Sequence, residues 1–156
     1  MEILLSKPIL IGLHLGLAIL GIDAFIWLLG ELVADVKALF RIKFAAVLGL
    51  IGFFLSWLAG GYYYVKFYGP LVKPIIKEGL APWAHAIFME TKEHAFLFLI
   101  PMAITAVFVV FSIKDEAERE VMKKSFKIFV GLVAGLGLLV GAMGFIISAA
   151  ARWGAA

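Results

Sequence analysis

Four long apolar stretches, each bounded by charged residues, dominate the pattern of hydrophobic and polar positions. They cover residues 8–30, 44–68, 95–113 and 126–151. A helix needs about 20 residues to cross the hydrocarbon core of a bilayer, and each stretch comes to about that length. The pattern therefore predicts an all-α fold, an up-and-down bundle of four transmembrane helices.

Composition supports a membrane protein and extends the prediction to the whole chain. Of the 156 residues, 64% are hydrophobic and only 16% are charged. A soluble globule of this size has too little interior to hide so much apolar surface. Because little polar sequence remains, we expect residues 1–156 to form one integral membrane domain surrounded by the lipid bilayer.

The connection at residues 69–94 differs from the other two. It is rich in proline and alternates apolar with basic residues, whereas the connections around 31–43 and 114–125 are strongly charged. Tyrosine and tryptophan gather on this side of the bundle, as they do at membrane–water interfaces: Tyr62, Tyr63, Tyr64, Tyr68, Trp83 and Trp153. We therefore expect this segment to be an interfacial loop or helix.

Charge provides an orientation and excludes some functions. Eight of the 14 Lys and Arg flank the two charged connections, and six lie on the side of residues 69–94. By the positive-inside rule, this distribution favours an orientation with both termini and 69–94 outside the cytoplasm. We expect the membrane to be a prokaryotic plasma membrane. The net charge of +3 forms no clustered patch, which argues against nucleic acid as a partner.

The absence of cysteine narrows the cofactors. The chain contains no Cys, so disulfides, iron–sulfur clusters, thiolate metal sites and covalently attached c-type haem are excluded. No nucleotide-binding fingerprint or phosphate loop is present either.

Two histidines lie in or at the edge of the predicted spans. His14 lies inside the first span and His94 opens the third, and these spans start from the same membrane face. An imidazole without a partner is costly in hydrocarbon. Two imidazoles from separate helices can supply both axial ligands of a b-type haem. Gly21, on the same helical face as His14, leaves room for a planar group.

The placement of His14 in LIGLHLGLAILG and of His94 in ETKEHAFLF, with Gly60 and Gly61 near the same face, resembles the small membrane cytochromes b. The resemblance covers the pattern of the spans. It implies haem b bound by His14 and His94, with Gly21 and Gly60 beside it, and single-electron exchange with a quinone or a partner cytochrome. Many such proteins carry a second haem at the opposite face, where this chain has no histidine.

Binding of a single transition-metal ion, in a non-haem metal-binding or ion-transport membrane protein, is an alternative use of the same residues. Glu90 and His94 are four residues apart and share a helical face, so with His14 they could form a site of two histidines and one carboxylate. His85 lies nine residues before His94, on the opposite face of a continuous helix. A break in the helix around Met89 would change that.

Asp23 is a further ionisable residue within a predicted span. It is nine residues from His14 and therefore about 180° away around the helix. An intramembrane carboxylate is protonated or paired, and often marks a proton or cation path. We expect Ser56 or Thr105 to be its partner.

The fourth stretch favours packing without chemistry as another alternative. Gly137, Gly141, Gly144 and Ser148 form one stripe of small residues, and a second stripe lies about 120° around. Such stripes let helix backbones approach closely in lipid. The protein could thus be an accessory subunit of a homo-oligomer or larger membrane complex.

The haem hypothesis makes a spectroscopic prediction. Protein purified from haem-replete cells should show sharp α and β absorption bands after reduction, and His14→Ala or His94→Ala should each abolish the low-spin spectrum. A colourless protein with both histidines intact would contradict it.

Overall fold

The computed structural model describes residues 5–113 and 116–154, and all its elements are helical. In chain order they are α1 (Lys7–Val33), α2 (Leu39–Tyr63), the π-helical segment π1 (Tyr64–Val72), α3 (Lys73–Glu78), the π-helical segment π2 (Ala84–Met89), α4 (Glu90–Ser112) and α5 (Glu116–Gly154).

The prediction of an all-α bundle is confirmed. Within the described ranges, four helical stretches are long and apolar enough to cross a membrane. They form a ring in which α1 and α4 each pack against both α2 and α5, so that α1 and α4 lie on opposite corners. Length and composition of these helices make the chain an integral membrane protein.

The helices run beyond the apolar stretches of the sequence. Helical structure continues from Leu39 to Glu78, over 40 residues, and resumes from Ala84 to Ser112, over 29 residues. The segment 69–94 is therefore a helical hairpin with a short turn at 79–83. The helix continues because Tyr68, Val72 and Ile76, four residues apart, bury one face.

Proline accounts for the change of helix type in π1. Pro70 lies inside this nine-residue segment. A proline has no N–H to donate, and its ring clashes with the carbonyl four residues earlier. The wider turn of a π-helix relieves such a clash. π-helical turns are rare overall, but many of those that occur lie at functional sites. Both π segments lie at the same end of the bundle.

Two apolar clusters of described residues hold the molecule together. The larger one fills the four-helix ring and centres on Phe25 and Phe53, whose rings stack with centroids 5.5 Å apart. The smaller one joins π1, α3 and π2 to the last turns of α5, for example through Ile76 and Ile147. Among the residues that the structure describes, α1 contributes none to the smaller cluster, so this end of the molecule is a cap that extends past the start of α1.

An ion pair with one buried member closes the other end. Glu31 is 4% exposed and accepts hydrogen bonds from the Trp27 ring nitrogen, at 2.6 Å, and from Arg41, which is itself 54% exposed. Arg41 lies on α2, so the pair joins the two helices of the first hairpin. Loss of Arg41 would leave the buried Glu31 carboxylate without its counter-charge, which is destabilising.

The backbones of α1 and α2 approach each other closely where the two helices cross. A Cβ on Gly52 would lie 2.7 Å from the backbone nitrogen of Gly21 and 3.0 Å from the carbonyl oxygen of Leu17. Backbone atoms cannot move aside as a flexible side chain can. Only glycine at position 52 permits this approach, which is the helix association that small residues allow in lipid.

This crossing predicts that two glycine substitutions differ in their effect on stability. Gly52→Val should lower the free energy of unfolding by at least about 1–3 kcal/mol, because the new methyl groups collide with the α1 backbone. Gly12→Val, where no described atom lies within 4 Å of the added Cβ, should change it by less than about 0.5 kcal/mol. Reversible unfolding in mixed micelles, followed by circular dichroism, measures both. Equal effects would contradict the crossing.

Candidate functional site

His14 lies on the side of α1 that faces α2. Its ring nitrogen Nδ1 is 2.9 Å from both the carbonyl oxygen and the hydroxyl oxygen of Ser56. The Ser56 hydroxyl donates to the carbonyl oxygen of His14 at 2.9 Å. A Cβ on Gly60 would lie 2.6 Å from His14 Nδ1, so the imidazole packs directly against the α2 backbone.

These contacts determine which nitrogen of His14 carries a hydrogen. A backbone carbonyl only accepts, and the Ser56 hydroxyl already donates its single hydrogen elsewhere. Nδ1 is therefore the donor, and Nε2 of the neutral ring keeps its lone pair. A histidine held in this way can accept a proton or bind a metal through Nε2.

Lys92 of α4 directs its ammonium group into the bundle. A Cβ on Gly144 of α5 would lie 3.2 Å from Lys92 Nζ, so glycine at this position leaves space for the ammonium. The Lys92 charge acts electrostatically on His14. An interior ammonium of this kind disfavours a bound cation nearby and favours an anionic or electron-rich group.

Glu93 carries one of two buried side-chain oxygens that lack a hydrogen-bond partner among the described residues, and the other is Oε2 of Glu31 at the opposite end of the bundle. Its carboxylate interacts with the hydroxyl of Tyr64 on π1. Its Oε1 atom is buried and has no hydrogen-bond partner in the described part of the chain. A buried polar atom without a partner costs about 1–3 kcal/mol and calls for an explanation. A proton on this oxygen, or a donor from a ligand, would remove that cost.

An apolar groove of about 200 Å³ opens between α2 and α4 toward the lipid. Its walls are Trp57, Phe96, Leu97, Ile100 and Pro101. Much of the surface of Leu97 is open to the surroundings, as is that of Trp57, so the groove is accessible from the side of the bundle.

Tyr64 and Glu93 lie one to two helical turns beyond the groove-lining residues Trp57 and Leu97, and we call this end of the groove its head. On α4, Glu93 precedes Leu97 by four residues and shares its helical face. On α2, Trp57, Gly61 and Tyr64 form the facing stripe. No described atom lies within 4 Å of a Cβ built on Gly61. A polar pair, an open glycine and an apolar groove thus follow one another along the interface of α2 and α4.

A second line of polar contacts leads outward from the same end. The Tyr68 hydroxyl is 3.0 Å from Nδ1 of His85, and both residues are buried. Nε2 of His85 is 3.6 Å from Oε1 of Glu90, whose side chain is 51% exposed. The rings of Tyr64 and Tyr68 stack with centroids 5.2 Å apart. Ionisable groups thus connect the surface to the head of the groove.

The structure places the two histidines of the haem hypothesis in different surroundings. His94 is exposed, and its Nδ1 is 2.7 Å from the carbonyl oxygen of Glu90. Its helix, α4, lies at the corner of the ring opposite α1, so no contact joins His94 to His14 among the described residues. His94 is three residues before Leu97 and borders the outer rim of the groove.

The room expected beside His14 is filled by α2. The side chain of Phe53 lies within 2.5 Å of where a Cβ of Gly21 would stand, and Gly60 contacts the His14 ring. The small residues therefore bring two helices together, as small-residue stripes commonly do in lipid, and leave no slot between them.

The three residues of the metal hypothesis are not brought together. The carboxylate of Glu90 points toward His85, His14 is bonded to α2, and His94 is bonded to its own helix. In residues 5–113 and 116–154, no group of three or more His, Asp or Glu side chains is close enough to hold a metal ion. The π-helical turns before Glu90 place the ring of His85, not that of His94, beside the Glu90 carboxylate.

The partners expected for Asp23 were wrong. Asp23 is exposed on the outer surface of α1. Ser56 bonds to His14, and the Thr105 hydroxyl donates to the carbonyl oxygen of Pro101 at 2.9 Å. Serine and threonine on a helix often satisfy their hydroxyl on a carbonyl one turn earlier, which leaves Thr105 with no hydrogen to offer Asp23.

Sequence reasoning missed Lys92 and Glu93, and it assigned the tyrosines to the membrane interface. A signal for Lys92 was present in the spacing of the buried face of α4. Leu99, Ala103, Ala106 and Val110 repeat every three or four residues, and the same series continued backward passes through Lys92. No comparable signal existed for Tyr68, whose burial depends on the π-helical turn.

Comparisons with known proteins provide no relative. No family model, no curated protein and no solved structure matches this chain.

Proposed function

We propose that the protein binds a quinone-class lipid in the groove between α2 and α4 and exchanges protons with its head group. The observation that carries this proposal is the buried Oε1 atom of Glu93, which lacks a partner among the described residues and lies one helical turn from Leu97 in the wall of the apolar groove. A lipid with a polar ring and an apolar tail complements this arrangement, in which a polar pair is followed by an apolar groove.

The chemistry of the groove favours a planar ring over a phospholipid head group. Gly61 leaves a flat surface at the head, and the aromatic rings of Trp57 and Phe96 line the adjoining groove. Aromatic side chains pack well against a planar ring. Tyr64 and a protonated Glu93 can each donate a hydrogen bond to a quinone oxygen, and an ionised Glu93 can accept one from a quinol.

The electrostatics favour proton exchange over binding of a metal cation. Lys92 acts on Glu93 and on His14 from inside the bundle. Its positive charge repels a divalent ion, but it is compatible with a carboxyl group that gains and loses a proton. We place this end of the bundle outside the cytoplasm, in keeping with the distribution of Lys and Arg, so that protons are exchanged with the exterior.

Haem b electron transfer is a second candidate. The specific observation in its favour is that His14 and His94 both hold Nδ1 on a carbonyl oxygen and leave Nε2 for another partner. Metal-ligating histidines are commonly held in this way. The two residues do not fit one haem within this conformation of a single chain, and the absorption spectrum is the test.

Filling the head of the groove tests quinone binding. Decylubiquinone added to the protein in lipid nanodiscs should quench tryptophan fluorescence saturably, because Trp57 lines the groove. Gly61→Leu places a side chain where the ring would lie and should weaken binding at least about tenfold, about 1.4 kcal/mol.

Gly135→Leu is the matched control, because Gly135 is also exposed and no described atom lies within 4 Å of its added Cβ. It belongs to α5, away from the groove, and should bind like the parent protein. Quenching that does not saturate, or that is equal in both glycine variants, would refute the proposed site.

A further inference from the structure

We propose that Glu90, His85 and Tyr68 form a proton relay from the membrane face to Glu93. The inference rests on the proposed function for its purpose, because a quinone site needs protons from water. It can be measured without any quinone, since the relay ends on a carboxyl group of the protein itself.

The relay has one exposed end and a buried middle. Glu90 is half exposed, whereas His85 and Tyr68 are only 4% and 2% exposed. The distances are 3.6 Å from Glu90 to His85 and 3.0 Å from His85 to Tyr68. The second is a hydrogen bond, and the first becomes one with a small rotation of an exposed carboxylate.

The inner end of the relay reaches Glu93 through stacked tyrosines. Tyr68 stacks on Tyr64, whose hydroxyl interacts with the Glu93 carboxylate. Glu93 also acts electrostatically on Tyr68 itself. Donors and acceptors alternate from Glu90 through His85 to Tyr68, and one bridging water completes the line between the hydroxyls of Tyr68 and Tyr64.

The two π-helical segments position this relay. π1 supplies both tyrosines and π2 supplies His85. π2 ends at Met89, which brings His85 beside Glu90, although a regular α-helix would separate residues five apart by about 140°. The wider π-helical turns thus bring these ionisable side chains together. Such turns occur frequently at functional sites.

Charged groups from two elements surround His85. Lys73 and Lys77 of α3, and Glu90 and Glu93 of α4, act on it electrostatically with opposite signs. The opposing signs let the imidazole exist as the neutral base and as the transient cation that a relay requires. A purely structural histidine would need only one fixed partner.

Each transfer along the relay is balanced. Glu90, protonated by water, gives its proton to Nε2 of His85, and the proton on Nδ1 passes to the Tyr68 oxygen. Tyr68 releases its own hydroxyl proton to a water between the two tyrosine hydroxyls, Tyr64 accepts a proton from that water and releases its own, and the Glu93 carboxylate accepts it. One proton has moved from water to Glu93. His85 regains its first tautomer when Nε2 releases its proton to water and Nδ1 accepts one from water.

The experiment follows the protonation of Glu93 after a light-triggered pH jump, by time-resolved infrared spectroscopy. The Glu93 carboxyl band is identified by its loss in Glu93→Gln. His85→Ala should slow the appearance of this band by about 100-fold, and imidazole added to the buffer should restore the rate because it can enter the space left by the side chain.

Tyr68→Phe keeps the aromatic ring but removes the hydroxyl, so it should slow the band equally and gain nothing from imidazole. Glu78→Gln, an exposed carboxyl group on α3 outside the relay, should leave the rate unchanged. An unaltered rate in His85→Ala or Tyr68→Phe, or a wild-type protein whose Glu93 band does not respond to pH, would overturn the relay. A normal relay without quinone binding would refute the proposed function alone.

Discussion

The contact of the α1 and α2 backbones at Gly21 and Gly52 is the constraint on which the structure depends. Helices in lipid gain nothing from burying apolar surface against one another, so close packing and hydrogen bonds must hold them. Two glycines bring the backbones so near that no other residue fits at position 52. The same approach presses His14 against α2 and completes its bonds with Ser56.

The length of α1 determines where polar chemistry can take place. α1 starts at Lys7, whereas α2 continues through π1 and α3 far beyond the level of His14. The bundle therefore has four helices in its apolar middle and three helical walls in its cap. The ionisable residues of α4 and the π segments lie where the four-helix part meets the cap. Buried atoms at this level are close to the water at the membrane surface, with which they can exchange protons, and they are still bordered by lipid.

The sequence predicted the overall architecture well because lipid imposes a simple rule. A span must be apolar and about 20 residues long, and such stretches are visible without any knowledge of packing. The ends of the helices were less predictable, since α-helix and π-helix use the same residues. Tyr68 and His85 illustrate this limit, because the wider π-helical turn decides whether they meet.

The candidate site was predictable only in part, for a related reason. His14 was singled out correctly as an interior residue because an imidazole in a span needs a partner. Its neighbours depend on which corner of the ring each helix occupies, and spacing along one helix does not contain that information. In the sequence His94 therefore looked equivalent to His14, although one faces outward and the other faces α2.

The proposed function requires a quinone ring at Gly61, between Tyr64 and Glu93, with its tail along Trp57 and Leu97. Photolabelling with an azido-substituted quinone in native-like bilayers, followed by peptide mapping, locates the ring and its tail. We expect label concentrated in residues 57–64 of α2 and π1 and in residues 93–101 of α4, and its loss when unmodified quinone is added in excess. Label spread evenly over all four spans, or concentrated on α1 or α5, would contradict this position.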